Sequence, residues 1–368
     1  MRAITIYSKA IAHNLAQVKR LAPHAKVLAM VKANAYGHGV ATVLPALQQA
    51  EGIGVATLSE ALEARALGWD KTLGLIEGAF SADEWQCAID NDMGCVIHHQ
   101  PQLDWALDNI PADDSATRIV WLKYNTGMNR LGFNDDTVIS AAKQLHQAGY
   151  HLILTTHFAN ADNRDHPLNA IQTQRFHDML AVLHHTVSPK IQASMCNSAS
   201  VVNFAGNHGD WVRPGIMLYG SSPVNDKSAD DLNLQPAMQF TAQIIAFNTI
   251  DKGDAIGYGS RWIAQKETKT ALVSIGYGDG YPRVVSDDAY VCVHNTLDNQ
   301  VYKCPVRGRV AMDMIVIDVS AAEVEIALDS TVVLWGAMPQ VDAVAAYANT
   351  ISYELMCRLS QRPTRSYQ

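Results

Sequence analysis

Apolar runs that begin near Val27, Ile53, Leu73, Cys95, Ile119, Leu152, Ile191 and Trp211 recur at near-regular intervals, and this beat constrains the fold more than any other feature. Helical patterns over residues 38–50, 59–67, 137–148 and 169–185 lie between them. Eight strands alternating with helices is the count that closes a (β/α)8 TIM-type barrel. The competing arrangement, a doubly wound open sheet for a dinucleotide, needs a Gly-x-Gly-x-x-Gly turn after the first strand, and that turn is absent. The 368 residues are enough for a barrel and a smaller domain, and 48% hydrophobic against 17% charged residues supplies the core.

After Gly220 the pattern changes. Residues 221–236 are polar and loop-like, and strand-like runs follow at 241–250, 271–275, 290–293, 314–319 and 331–334, with an amphipathic helix at 341–348. The expected plan is therefore a barrel over residues 1–225 and a C-terminal mainly-β domain over 226–368. The β-type run of residues 2–7 is spare to the barrel and is expected to pair with the second domain. The formal charge of −8 argues against nucleic acid as a main partner. No stretch reads as a signal-peptide core or a bilayer span, so no membrane association is expected. The six cysteines include no Cys-x-x-Cys pair, which suggests reduced thiols in a cytoplasmic protein and no zinc or other metal site.

In such a barrel the working face lies where strands end and βα loops begin. The polar residues that interrupt the apolar runs fall there. Lys32, Asn34 and Tyr36 follow the first run; Lys123 is late in the fifth, with Arg130 in the next loop. His157 ends the sixth run, Asn197 and Ser198 end the seventh, and Arg213, Gly215 and Ile216 belong to the eighth. Each alone has an ordinary explanation: a hydrogen-bonded structural histidine, a core-edge arginine, a lysine snorkelling to solvent. Together they mark a site.

Their chemistry suggests a ligand. A lysine amine at a buried strand end sheds its proton readily and can condense with a carbonyl cofactor such as pyridoxal 5'-phosphate. Ser198 reads as a helix N-cap whose following amides face an anion, and Gly215, Ile216 and the Tyr36 hydroxyl would complete a phosphate cup. Arg213 adds information about the reaction. A permanent cation can only donate, so beside the pyridine nitrogen it would keep that nitrogen unprotonated and the ring a weak electron sink. A weak sink suits rapid return of a proton to Cα.

With these residues assembled, the chain resembles the alanine racemases of the fold-type III pyridoxal-phosphate enzymes. The likeness spans essentially the whole chain. It is carried by Val31-Lys-Ala-Asn-Ala-Tyr-Gly-His-Gly39, Thr126-Gly-Met-Asn-Arg130, Thr156-His-Phe158, Asn197-Ser198, Arg213-Pro-Gly-Ile216 and Gly257-Tyr-Gly259. It continues in Gly276-Tyr-Gly-Asp-Gly-Tyr281, Met312-Asp313 and Ile351-Ser-Tyr-Glu354. The resemblance implies two-base interconversion of L- and D-alanine, for cell-wall peptidoglycan or for alanine catabolism, in a head-to-tail homodimer with shared sites. It implies that Lys32 holds the cofactor and serves as base on the D face. Tyr258, from the partner, would be the base on the L face. A phenol with an ordinary pKa of about 10 needs help from nearby cations, and His157 bridging towards Arg213 would supply that coupling. Arg130 and the backbone of Met312, the latter also from the partner, would take the substrate carboxylate. Tyr36, Ser198, Gly215, Ile216 and Tyr353 would hold the phosphate, with His157 and Asn197 beside the cofactor. Tyr281 would narrow the entrance, unless it is an ordinary β-domain aromatic. Lys123 matches a position often carbamylated in the family, where it fixes Arg130.

One departure stands out: Asn125 occupies a position where the family commonly carries aspartate, so the charge around Lys123 and Arg130 is expected to differ. Two other readings compete. A decarboxylase of larger diamino acids shares the plan but benefits from a protonated ring, against Arg213. A non-enzymatic cofactor carrier would not need Tyr258 and Met312.

Overall fold

The computed structural model describes residues 2–112 and 118–368. Its strands are β1 (Ala3–Ile6), β2 (Lys26–Met30), β3 (Gly52–Val55), β4 (Thr72–Leu75), β5 (Gly94–Ile97), β6 (Ile119–Lys123), β7 (His151–Thr155), β8 (Gln192–Ser194) and β9 (Trp211–Val212). They are followed by β10 (Met238–Ile250), β11 (Ala255–Ile256), β12 (Trp262–Ile263), β13 (Thr268–Val273), β14 (Tyr290–His294), β15 (Val301–Arg307), β16 (Ile315–Asp318), β17 (Thr331–Trp335) and β18 (Thr364–Tyr367).

Strands β2 to β9 form one parallel sheet in the order β8-β7-β6-β5-β4-β3-β2-β9. The remaining seam, between β8 and β9, is bridged by Asn197 and Arg213, with the Arg213 amide donating to the Cys196 carbonyl at 2.8 Å. The eight strands thus make a nearly closed TIM-type barrel. Buried on both faces, β3 and β5 read as unbroken apolar runs rather than alternating ones. Leu28, Val96, Trp121, Ile153 and Trp211 pack together as a small apolar cluster apart from the main core. The intervening helices start on local signals: Thr57 and Glu60 form a capping box, as do Asn134 and Thr137, while Ser81 caps the helix Ala82–Asp90.

The second sheet is built on the long strand β10, which pairs with β1, β13 and β17. Its order, β13-β16-β15-β14-β17-β10-β1-β18 with β13 returning to β10, curls it into a closed β unit. Strand β1 lies antiparallel to β10 and parallel to β18, so residues from both ends of the chain extend this sheet. Several elements differ from the sequence expectation. The helix expected over 38–50 is only Val40–Ala46, because the residues before it are spent in a tight turn, and a helix over Ser8–Leu21, between β1 and β2, was not expected; β15 and β18, rich in charged and polar residues, carry no clear apolar alternation. Among the described residues no helix is long and apolar enough to cross a membrane, and no group of His, Cys, Asp and Glu is arranged to hold a metal ion.

Candidate active site

Lys32 leaves β2 into a turn of unusual hand. Ala33, Asn34, Ala35 and Tyr36 all have φ between 52° and 53°, a left-handed helical turn without glycine. Such a conformation costs roughly 1–2 kcal/mol for each residue, so the surroundings must enforce it. They do so from several directions. Glu60 accepts from the Ala33 amide at 2.6 Å, and the Asn34 side chain accepts from the Val40 amide at 2.9 Å. The buried His38 ring places Nδ1 3.1 and 3.0 Å from the Ala35 and Tyr36 carbonyls, so that nitrogen carries the proton. Gly37, at φ 81°, ends the turn where any Cβ would overlap the Met356 carbonyl. Arg365 of β18 donates to the Gly37 carbonyl at 2.7 Å. The result is that Lys32, half-buried rather than buried, and Tyr36 are held over the barrel mouth.

A cavity of about 550 Å³ opens there, lined by Lys32, Tyr36, Lys123, Arg130, His157 and Arg213 among others. It is strongly cationic. Burial, helped by Arg213, Arg130 and Lys32, pulls the Lys123 amine down to about 7. The same desolvation and the cations Lys123 and Arg213 push His157 well below the usual imidazole range, so its ring is neutral. Arg213 is lowered by burial only to about 10 and remains charged. Its Nη1 donates to the Ser194 carbonyl at 2.9 Å and Nη2 to the Thr156 carbonyl, while Nε has no acceptor among the described residues. The expected bridge from His157 to Arg213 is therefore not formed: the Arg213 amines are taken by strand-end backbone, and the His157 ring faces the Asn197 amide at 3.5 Å.

The other end of the cavity has the shape of an anion seat, with one correction. The helix Ser198–Asn203 is capped by Asn197, whose side chain accepts from the Ser200 amide, and Ser198 is the first helical residue. The Ser198 hydroxyl instead accepts from the Gly215 amide at 2.7 Å. The Ile216 amide has no acceptor among the described residues. Tyr353, on the helix Ser352–Cys357, stands with its ring 5.8 Å from that of Tyr36. Asp342 secures that helix by accepting from the Ser352 and Ser221 hydroxyls.

Three sequence candidates lie elsewhere. Tyr258 is 74% exposed on a turn beyond β11, and Met312 is 53% exposed between β15 and β16; neither lines the cavity of its own chain. Tyr281 is buried, its ring stacked 6.5 Å from Trp335, and does not line that cavity either. Asn125 accepts from the Gly127 and Asn129 amides, so its side chain is spent on shaping the loop before Arg130. Sequence reasoning missed Glu77, Trp121 and Cys357, which also line the cavity. Their types carried no signal, since an acid, an indole and a thiol at strand or helix ends are common.

The residues present fit pyridoxal phosphate: a lysine amine, a free arginine Nε, a free backbone amide with hydroxyls nearby, and a size within the range of ligand pockets. Comparison with known proteins decides the matter. Residues 6–223 match the family described as alanine racemase, N-terminal domain, and residues 237–367 match alanine racemase, C-terminal domain. The alanine racemase of Psychrobacter sp. (strain PRwf-1) is 53% identical over 368 residues, covering 99% of this chain and 98% of that one. The chain belongs to the alanine racemase family.

Solved structures agree with that placement. The alanine racemase of Acinetobacter baumannii superposes with a TM-score of 0.92 at 47% identity, covering 100% of this chain and 99% of that one. That of Bartonella henselae, which carries covalently bound pyridoxal phosphate, gives 0.85 at 26% identity, with coverage of 100% and 99%. As a member of this family the chain is a pyridoxal-phosphate-dependent isomerase that racemises alanine.

Proposed function

We propose that the chain interconverts L- and D-alanine with two opposed bases, Lys32 and Tyr258 of the partner subunit, in a homodimer whose sites are each built from both chains. The observation that carries this reading is the mismatch between cavity and motif residues. The cavity presents Lys32, whereas Tyr258 and Met312 are exposed on the β domain and line no part of it. A second copy docked head to tail would bring them in.

Racemisation needs one group to take the α-proton from one face and another to return it on the opposite face. Bound in the cavity, pyridoxal phosphate makes that proton removable by drawing electron density from Cα. Lys32 would anchor the cofactor and exchange the proton on the D face; Tyr258 would do so on the L face. Arg130 would pair with the substrate carboxylate, joined by the Met312 amide. Tyr36, Ser198, Gly215, Ile216 and Tyr353 would hold the phosphate, and Arg213 would direct its free Nε at the ring nitrogen and keep it unprotonated. His157 and Asn197 would pack beside the ring, and Tyr281 would support the entrance from the partner's side. Six free cysteines, most of them buried, fit a cytoplasmic setting.

The test is direct. Purified protein with pyridoxal phosphate should convert L- to D-alanine by chiral chromatography, and carbon dioxide released from a diamino acid instead would overturn the reading. Borohydride reduction and peptide mapping should place the cofactor on Lys32. In deuterated water Tyr258→Phe should lose α-proton exchange from L-alanine and keep it from D-alanine. Activity should fall on dilution as the dimer dissociates.

A further inference from the structure

The Gly276-Tyr-Gly-Asp-Gly-Tyr281 motif has a buried carboxylate that touches neither cavity nor base. Asp279 is fully buried, and its Oδ2 accepts from the Gly276 amide at 2.9 Å. Two arginines from distant parts of the chain converge on it: Arg2 Nε lies 3.3 Å from Oδ2 and Arg362 Nε 3.4 Å from Oδ1. Both arginines then reach the residue after Met312. Arg362 Nη2 donates to Asp313 Oδ1 at 2.6 Å, and Arg2 Nη2 donates to the Asp313 carbonyl at 3.2 Å.

The backbone of the same motif seats the turn itself. The Tyr277 amide donates to the Ala311 carbonyl at 3.1 Å and the Gly278 amide to the Met312 carbonyl at 2.9 Å. A Cβ on Gly276 would overlap both carbonyl oxygens. A trans peptide is planar, with its C=O and N–H pointing opposite ways. Pinning the Ala311 carbonyl against Tyr277 therefore turns the Met312 N–H outward. That amide has no acceptor among the described residues, and Met312 is 53% exposed.

We infer that Asp279 is a positioning residue for the substrate carboxylate in the partner's site. Through Gly276, Arg2 and Arg362 it sets the direction of the Met312 backbone amide that this turn offers across the dimer. The inference rests on the shared-site reading above. A carboxylate is required because it draws two cations to one point. An asparagine would keep the shape and the bond from Gly276 but release both arginines.

The experiment uses the holoenzyme. Asp279→Asn should raise KM for alanine about tenfold, the weight of a hydrogen bond to a charged group, with kcat little changed. The contact is made equally in ground and transition states, so it moves KM rather than kcat. The rise should be equal for L- and D-alanine, which share the carboxylate. Arg362, partly exposed, gives a second variant that spares the core: Arg362→Gln should shift KM in the same direction, and Arg362→Lys should recover part of it. Mixed dimers then assign the effect to a chain. A Lys32→Ala chain paired with an Asp279→Asn chain leaves one working site, served by an intact turn, and should show normal KM. A chain carrying both substitutions, paired with wild type, should show the raised KM. Equal KM in the two mixed dimers, or a fall in kcat with KM unchanged, overturns the inference. A wild-type protein without racemase activity would instead sink the reading on which it rests.

Discussion

Tyr36 is stacked on Tyr219 with ring centroids 4.8 Å apart and planes inclined by 27°. The Tyr219 hydroxyl is tied in turn to the Met30 carbonyl at 2.8 Å, so the Tyr36 ring has a fixed wall behind it. In front of it a Cβ on Gly215 would come within 2.5 Å of the Tyr36 hydroxyl. The phenol cannot retreat, and the anion seat must deform. Gly215→Ala should therefore weaken binding of pyridoxal phosphate to the apoenzyme by about tenfold, an overpacking cost of about 1–3 kcal/mol. Titration followed by cofactor absorbance checks this; unchanged affinity would remove Tyr36 and Gly215 from the seat.

The left-handed turn leads to a stability prediction. Gly37→Ala places a side chain at φ 81° and against the Met356 carbonyl. The conformational cost and the clash together should lower the unfolding free energy by about 2–4 kcal/mol. Urea denaturation measures it, and borohydride trapping at Lys32 should fall in parallel. A variant as stable as wild type would mean that the turn is not as constrained as its contacts suggest.

His38 makes stability depend on acid. Burial lowers its pKa from the ordinary 6.5 to about 4, outweighing its carbonyl partners. Between those values the unfolded chain binds a proton that the folded one refuses, so stability falls as pH drops from about 6.5 towards 4. The full loss is about 3 kcal/mol at pH values below both. His38→Asn should flatten this slope, as read from urea midpoints across that window. An unchanged slope would assign the acid sensitivity elsewhere.

Lys123 is poised for chemistry at neutral pH. An amine lowered to about 7 is about half unprotonated at neutral pH, where surface lysines are almost wholly charged, and it lies beside Arg130 and Arg213. Reaction with carbon dioxide would convert it to an anion among cations. In protein equilibrated with ¹³C-bicarbonate, a carbamate resonance should appear and be absent from Lys123→Ala. The native stability contribution has the opposite pH sign to that of a lysine held in an ion pair: because its folded pKa is depressed, the unmodified amine favours the folded state increasingly as pH rises from about 7 towards 10.5.

The barrel was legible because its strands are covered on both faces, so runs such as Gly94–Ile97 are apolar throughout and separated by capped helices. The β domain was legible where a strand is buried nearly throughout: Thr331–Trp335 announces itself, whereas Val301–Arg307 buries only alternate residues weakly and Thr364–Tyr367 is largely exposed. Lys32 and Arg213 could be picked out because charge at a strand end needs a reason. The cap at Asn197 was misassigned by one residue, since asparagine and serine compete equally for such a position. Nothing local marks the hand of the Lys32 turn, which is imposed by Arg365, Met356 and His38 from outside it. Tyr258 carried no signal beyond family likeness, because an exposed tyrosine acquires meaning only from the surface it meets.

Arg365 and Gly37 are 328 residues apart in the chain. The turn that holds Lys32 is therefore fastened locally by Glu60, Asn34 and His38, and from the far end of the other domain by a strand that shares no barrel hydrogen bond with it. A variant without β18 would keep Lys32 and the contacts of Glu60 and His38 but lose this clamp on its turn.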